Sequence, residues 1–241
     1  MTAARRGMGG RRILVTGAAA GIGRCTAKLL AEDGATLGLL DRDEEALEEV
    51  ARDTGGAALE VDITDEDAVR RRVQDFGASG GIDGLVNAAG IMFRGAAADV
   101  PAAEWRRVLD VNLTGTYIVA RSSLPWLSRE GGASIVNIAS AQGLLPNAPG
   151  YSAYAASKGG VIALSKALAA ELAPAVRVNV ICPGMVDTAM ADGQRGNVEN
   201  YALKRLADPI EIAHTIRFLL SSDSSYVTGA ALATDGGRSF H

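Results

Sequence analysis

At 241 residues, 48% of them hydrophobic, the chain is long enough for one large α/β domain and too apolar to be disordered. A formal net charge of −4 and a pI near 5.3 leave no basic footprint for nucleic acid. No apolar run approaches the length of about 18 residues that a membrane span needs. The basic, Gly-rich start, Met1 to Arg12, lacks the apolar centre of a signal peptide. It reads as a flexible arm over residues 1–10 on a cytoplasmic protein.

Strand-like and helix-like segments then alternate to the end. Short strands are predicted at Arg12–Thr16, Thr36–Leu40, Ala57–Val61, Leu85–Asn87, Ser134–Ile138, Arg177–Ile181 and Ala231–Thr234. Gly21–Asp33 has helical periodicity and stops before Gly34, a C-cap residue. Asp43–Thr54 reads as the next helix. Thr64-Asp-Glu-Asp67 has the form of a capping box opening a helix that ends near Gly77. Trp105–Ser128, Tyr154–Leu172 and the amphipathic Pro209–Leu220 are further helices. Such alternation implies right-handed βαβ units, hence a doubly wound parallel sheet of about seven strands with helices on both faces. One domain over residues 11–241 is expected.

Cys25 and Cys182 fall in elements predicted to be buried and read as reduced core thiols. With only His214 and His241, the chain has no His-rich zinc site and no evident Ser-His-Asp triad. It has no CxxC and no carboxylate cluster, so no metal is implied.

The most informative stretch is Tyr154-Ala-Ala-Ser-Lys158. Residues i and i+4 share a helix face, which sets an ammonium beside a phenol. A nearby cation favours the phenolate, so the expectation is a Tyr154 pKa below its ordinary value of about 10. Between the first strand and first helix runs Thr16-Gly-Ala-Ala-Ala-Gly-Ile-Gly23. Glycines there let backbone approach a pyrophosphate, and the helix N-terminus offers free N–H groups and a positive dipole end. Asp41 closes the second strand, where a carboxylate can accept from both ribose hydroxyls of an adenosine and repel a 2′-phosphate. Arg42 is the neighbouring cation, and Ala20 supplies no second one.

Gly17-x-x-x-Gly21-Ile-Gly23, Asn87-Ala-Ala-Gly90, Asn112, Ser140, Tyr154-x-x-x-Lys158 and Pro183-Gly184 occur in one order. The chain resembles the short-chain dehydrogenase/reductase family from Arg11 to about Gly237, including Thr228-Gly229 and Asp235-Gly-Gly237. The resemblance implies Tyr154 as general acid/base and Lys158 as the residue that holds the nicotinamide ribose and lowers the pKa of Tyr154. Ser140 would bind the substrate oxygen, and Asn112 would interrupt its helix and help hold a water leading to Lys158. Gly17, Gly21, Ile22, Gly23, Asp41, Arg42, Asp62, Ile63, Asn87, Ala88 and Gly90 would hold NAD, Asp62 facing the adenine. Tyr154, Lys158, Pro183, Gly184, Val186 and Thr188 would complete the cofactor site.

Two departures from the family pattern stand out. Ala88 replaces the usual second Asn, and Ser140 and Tyr154 lie 14 positions apart, one more than the family spacing. The extra residue is placed between Ala141 and Ser152. The substrate pocket is expected from Ser140, Gln142, Leu144, Leu145, Tyr151, Met185 and Met190, with Met92, Phe93 and Asn147 nearby and a lid over about residues 185–206. These side chains suggest an apolar secondary alcohol or ketone. An anionic group would find only Arg94 and Arg195 within reach. The resemblance also implies a homotetramer, through the helices Trp105–Ser128 and Tyr154–Leu172 and through the last helix and strand. A 3-oxoacyl-acyl-carrier-protein reductase and a non-catalytic NAD-binding sensor or scaffold are the alternative readings.

Overall fold

The computed structural model describes residues 7–127, 132–193 and 198–239. Seven strands, β1 (Arg12–Thr16), β2 (Thr36–Asp41), β3 (Ala57–Glu60), β4 (Gly84–Asn87), β5 (Ala133–Ile138), β6 (Val176–Pro183) and β7 (Ala231–Thr234), form one parallel sheet in the order β3-β2-β1-β4-β5-β6-β7. The strand order reverses at β1, which pairs with β2 on one side and β4 on the other. In such a sheet a crevice opens at the carboxyl ends of the strands, beside that reversal.

Alternation along each strand sorts its side chains to two faces. Ile13, Val15, Leu37 and Leu39 pack against helices α1 (Gly21–Glu32), α2 (Glu44–Thr54) and α8 (Pro209–Leu220). Leu14, Leu40, Leu85 and Ile135 pack on the opposite face, against α3 (Glu66–Gly77), α5 (Thr116–Ser123) and α7 (Ser152–Leu172). Both faces of the central strands are therefore dry, as a parallel sheet requires. Two short helices, α4 (Ala102–Leu109) and α6 (Ala141–Leu144), complete the set. Among the described residues no helix is long and apolar enough to cross a membrane.

Several local expectations need correction. Met8 is buried in the core, and Gly10 N–H donates to Gly34 C=O at 3.2 Å. The arm therefore docks by residue 8, and residues 1–6 lie outside the described residues. Thr64 does not cap α3. Asp65 does, accepting from Ala68 N–H at 2.9 Å, while the Thr64 hydroxyl donates to Asp62. Cys182 is buried but Cys25 only partly so, and His214 is exposed on α8. The helix over Trp105–Ser128 is interrupted at Asn112, as the resemblance implies. α4 and α5 flank a π turn over Asp110–Gly115, and a 3₁₀ turn, Leu124–Trp126, follows them. Ser128 and His241 lie outside the described residues.

Candidate active site

Thr16 ends β1, and its hydroxyl accepts from the N–H groups of Ala88 and Ala89 at 3.1 and 3.2 Å, fastening β1 to the loop after β4. Gly17 follows at φ 66, where a Cβ would stand 2.7 Å from Ala89 N. At Gly23 a Cβ would lie 2.0 Å from Gly17 O, so the loop folds back on α1 too closely for any side chain. The N-terminus of α1 has no capping side chain and no acid in its first turn, whereas Asp43, Asp65 and Asp208 cap α2, α3 and α8. Its first N–H groups border a cleft of ≈ 580 Å³ lined by Gly17, Gly21, Ile22 and Gly23. An uncapped, positively polarised helix end with backbone held this close fits a diphosphate.

Asp41, Arg42, Asp62, Ile63, Ala88 and Gly90 line the same cleft. Asp41 Oδ2 accepts from Ala19 N–H at 3.1 Å, and Oδ1 from the N–H groups of Arg42 and Asp43 at 2.8 and 3.2 Å. Its carboxylate is thus fixed against the glycine loop. Asp62 accepts from Thr64 N–H and its hydroxyl at 2.9 and 2.7 Å; those bonds and the nearby Arg42 hold its carboxyl below the usual range. Arg107, which sequence reading missed, also lines the cleft, paired with Glu104 at 2.7 Å. Asn87 does not line it. It is buried, donating to Asn137 Oδ1 at 2.9 Å across β4 and β5.

A second cavity of ≈ 510 Å³ shares Ile22, Ala88, Gly90 and Thr188 with the first, so the two form one groove. Ser140, Tyr154 and Lys158 meet in its wall, all buried. Ser140 caps α6, its hydroxyl accepting from Gln142 N–H at 3.1 Å. Burial pushes the Tyr154 phenol up, offset in part by a hydrogen bond from Ser140. The expected depression by Lys158 is absent from this state. Lys158 Nζ stands 5.8 Å from the phenol ring centroid and donates to Ile138 C=O at 2.8 Å. Burial lowers its own pKa to about 8. Desolvation by burial is the largest influence on both groups.

Asn112 sits in the π turn. Its side chain exchanges two bonds with the backbone of Ile91, at 2.8 and 2.9 Å, and donates to Ser157 Oγ at 3.0 Å. A Cβ on Gly90 would meet Asn112 Oδ1 and Lys158 Nζ, each at 3.3 Å, so the bare glycine leaves the space between them open.

Gln142, Tyr151, Pro183, Gly184, Met185, Val186, Thr188 and Met190 line the second cavity, as does Met92. Leu144, Leu145 and Phe93 do not. α6 ends after one turn, and the chain then swings Asn147 to Tyr151 inward, leaving Leu144 37% exposed. In the segment expected to act as a lid, the Tyr201 hydroxyl accepts from Met185 N–H at 3.1 Å. Arg195 lies outside the described residues. Arg238 was missed altogether: it lines the cavity from beyond β7. No local motif marks it, since only the β6–β7 pairing brings that segment to the site.

Residues 17–239 match the family model described as Enoyl-(Acyl carrier protein) reductase. The 3-oxoacyl-(acyl-carrier-protein) reductase FabG of Thermotoga maritima is 38% identical over 240 residues, covering 95% of this chain and 97% of that one. The cis-4-hydroxycyclohexanecarboxylate dehydrogenase of Sinomonas cyclohexanicum is 40% identical over 240 residues, covering 94% and 96%. A short-chain type dehydrogenase/reductase from Mycobacterium marinum superposes with a TM-score of 0.91 at 34% identity, covering 98% of each chain. With the parallel sheet, the glycine loop and the Ser140, Tyr154 and Lys158 cluster in place, the chain belongs to the short-chain dehydrogenase/reductase family.

Proposed function

We propose that the protein is an NAD(H)-dependent oxidoreductase interconverting a secondary alcohol and its ketone, with Tyr154 as general acid/base. The convergence of Ser140, Tyr154 and Lys158 on one buried wall of the groove carries this reading. The nicotinamide, when bound, supplies the hydride acceptor and a positive ring. Ser140 donates to the substrate oxygen, stabilising charge that develops there. Tyr154 takes the hydroxyl proton during oxidation and returns it during reduction. Lys158 holds the ribose, and Asn112 keeps the proton path open beside Gly90. Val186 and Thr188 fix the carboxamide. Tyr154→Phe with retained NAD binding and lost turnover is the test.

NAD rather than NADP follows from Asp41, whose fixed carboxylate accepts ribose hydroxyls and repels a 2′-phosphate. A carrier-protein reductase is the second reading, favoured by the Thermotoga relative. A kcat/KM higher with NADPH than with NADH would support it over ours. Self-association as a tetramer is part of the proposal. Trp105 and Tyr117 expose apolar area near α4 and α5, and Phe218 and Leu232 do so on α8 and β7. Light scattering that finds a lasting monomer at micromolar concentration would remove that part.

A further inference from the structure

Of the cationic side chains among the described residues, only Lys158 and Arg238 are buried, 4% and 7% exposed. Both line the ≈ 510 Å³ cavity, with Arg94 as a third, exposed cation. No Asp or Glu lines that cavity among the described residues, although the chain as a whole is acidic. Lys158 is committed to the reacting centre, which leaves Arg238 to explain.

Arginines that serve the fold here spread their donors over two or more carbonyls. Arg177 donates to the carbonyls of Leu219, Ser221, Ser224 and Val227. Arg12 donates to Phe76 and Gly81. Arg238 has a different environment. Nη2 donates to Asn147 Oδ1, and Nη1 is buried with no hydrogen-bond partner. No carboxylate pairs with it among the described residues. Asp235, the nearest acid in sequence, is occupied with the N–H groups of Gly237 and Ser239 at 3.0 and 2.9 Å. A buried guanidinium with two of its five N–H groups idle is unfavourable unless something enters to meet it. A planar, bidentate donor is matched by a carboxylate.

We infer that Arg238, braced by Asn147, binds a carboxylate on the substrate, so that the reactant is a hydroxy acid whose carbinol faces Tyr154 and whose acid group lies at the far end of the same cavity. The inference rests on the alcohol–ketone reading above and names its substrate class. It replaces the expectation of a wholly apolar substrate.

The experiment compares hydroxy acids of graded length, 3-hydroxybutyrate, 4-hydroxypentanoate and 4-hydroxycyclohexanecarboxylate, each against its methyl ester, in the native protein and in Arg238→Met. The best acid should exceed its ester in kcat/KM by about 10- to 100-fold, and Arg238→Met should collapse that ratio to near one. A brace with no role in binding would lower acid and ester together and keep the ratio. A second arm needs no turnover. Cyclohexanecarboxylate should raise the Tm of the native protein but not of Arg238→Met, and cyclohexanecarboxamide should raise neither. Without ligand the variant should melt higher than the native protein, because an unpaired buried charge has gone. Esters turned over as well as acids, or an unchanged ratio in Arg238→Met, would overturn the carboxylate and leave the oxidoreductase standing. If neither NAD nor NADP supports any turnover, the alcohol–ketone reading falls. A carboxylate-specific Tm rise lost in Arg238→Met would then still support the anion site, and its absence would overturn it.

Discussion

Beside β1 and β2 the groove is walled by backbone, and beside β5 to β7 it is walled by side chains. The first half consists of Gly17, Gly21, Gly23 and the open end of α1, with Asp41 fixed against the glycine loop. Its chemistry comes from N–H groups that any sequence carries, brought close by residues that lack a Cβ. The second half draws Ser140 and Asn147, the α7 pair Tyr154 and Lys158, and Arg238 from beyond β7, and two of these are buried cations. A backbone wall is stable as it stands. A wall that buries an ammonium and a guanidinium with no carboxylate beside them among the described residues weakens the empty fold and is relieved when ligand arrives. Substitutions should therefore behave differently in the two halves.

The largest effect is expected at Tyr154. Tyr154→Phe removes the proton donor and little volume, so kcat should fall by about 10²- to 10⁴-fold while NAD binding, measured by fluorescence or calorimetry, persists. Loss of cofactor binding in this variant would break the division between halves. At Gly23 the expected order is reversed. Gly23→Ala forces a methyl against Gly17 O, so overpacking should cost about 1–3 kcal/mol, read as a lower Tm, and abolish NAD binding. Asp41→Ala should shrink the preference for NAD over NADP by about 10- to 100-fold, mainly through KM, and lower Tm as well, because three backbone N–H groups lose their acceptor.

The smallest and most diagnostic effect concerns Lys158. Its folded pKa of about 8 lies below the ordinary 10.5, so between those values the unfolded chain holds more protons. Native stability therefore rises with pH across that window, and below it the burial penalty stands in full. Lys158→Met should raise Tm at neutral pH, the gain shrinking as pH rises from about 8 to 10.5, while activity is lost. A lower Tm throughout would show the lysine to be structural. In the same cofactor-free protein, the phenol absorbance missing from Tyr154→Phe should titrate above the ordinary value of about 10, because burial raises it.

The division also explains what the sequence revealed. Strand ends matched within about two residues because the parallel core imposes continuous apolar runs. The glycine loop was legible because its function needs a fixed spacing in one short segment. Asp41 was legible as the residue that ends a strand beside that loop. Asn87 was placed in the cleft by motif alone, and its side chain turned out to bridge two strands. Leu144 and Leu145 were taken for pocket walls because apolar residues near Ser140 look alike until the one-turn length of α6 is known. Arg238 had no local signal at all. It lies 84 residues beyond Tyr154, and only the completed sheet brings the two to one cavity.

The π turn at Asp110–Gly115 bears on how this chain can change its length. A π turn is an α-helix carrying one inserted residue. Deleting one residue there would restore the regular ladder and give a better helix. It would also rotate everything on one side of the cut by about 100°, one residue's share of a helical turn. Asn112 would leave Ile91 and Ser157, or α5 would turn its buried face away from α3. Point substitutions in this segment away from Asn112 and Gly115 are local, but a single-codon deletion exchanges a sounder helix for a misaligned site. Lineages that keep the activity should therefore keep Asn112 and stay constant in number between residues 110 and 115.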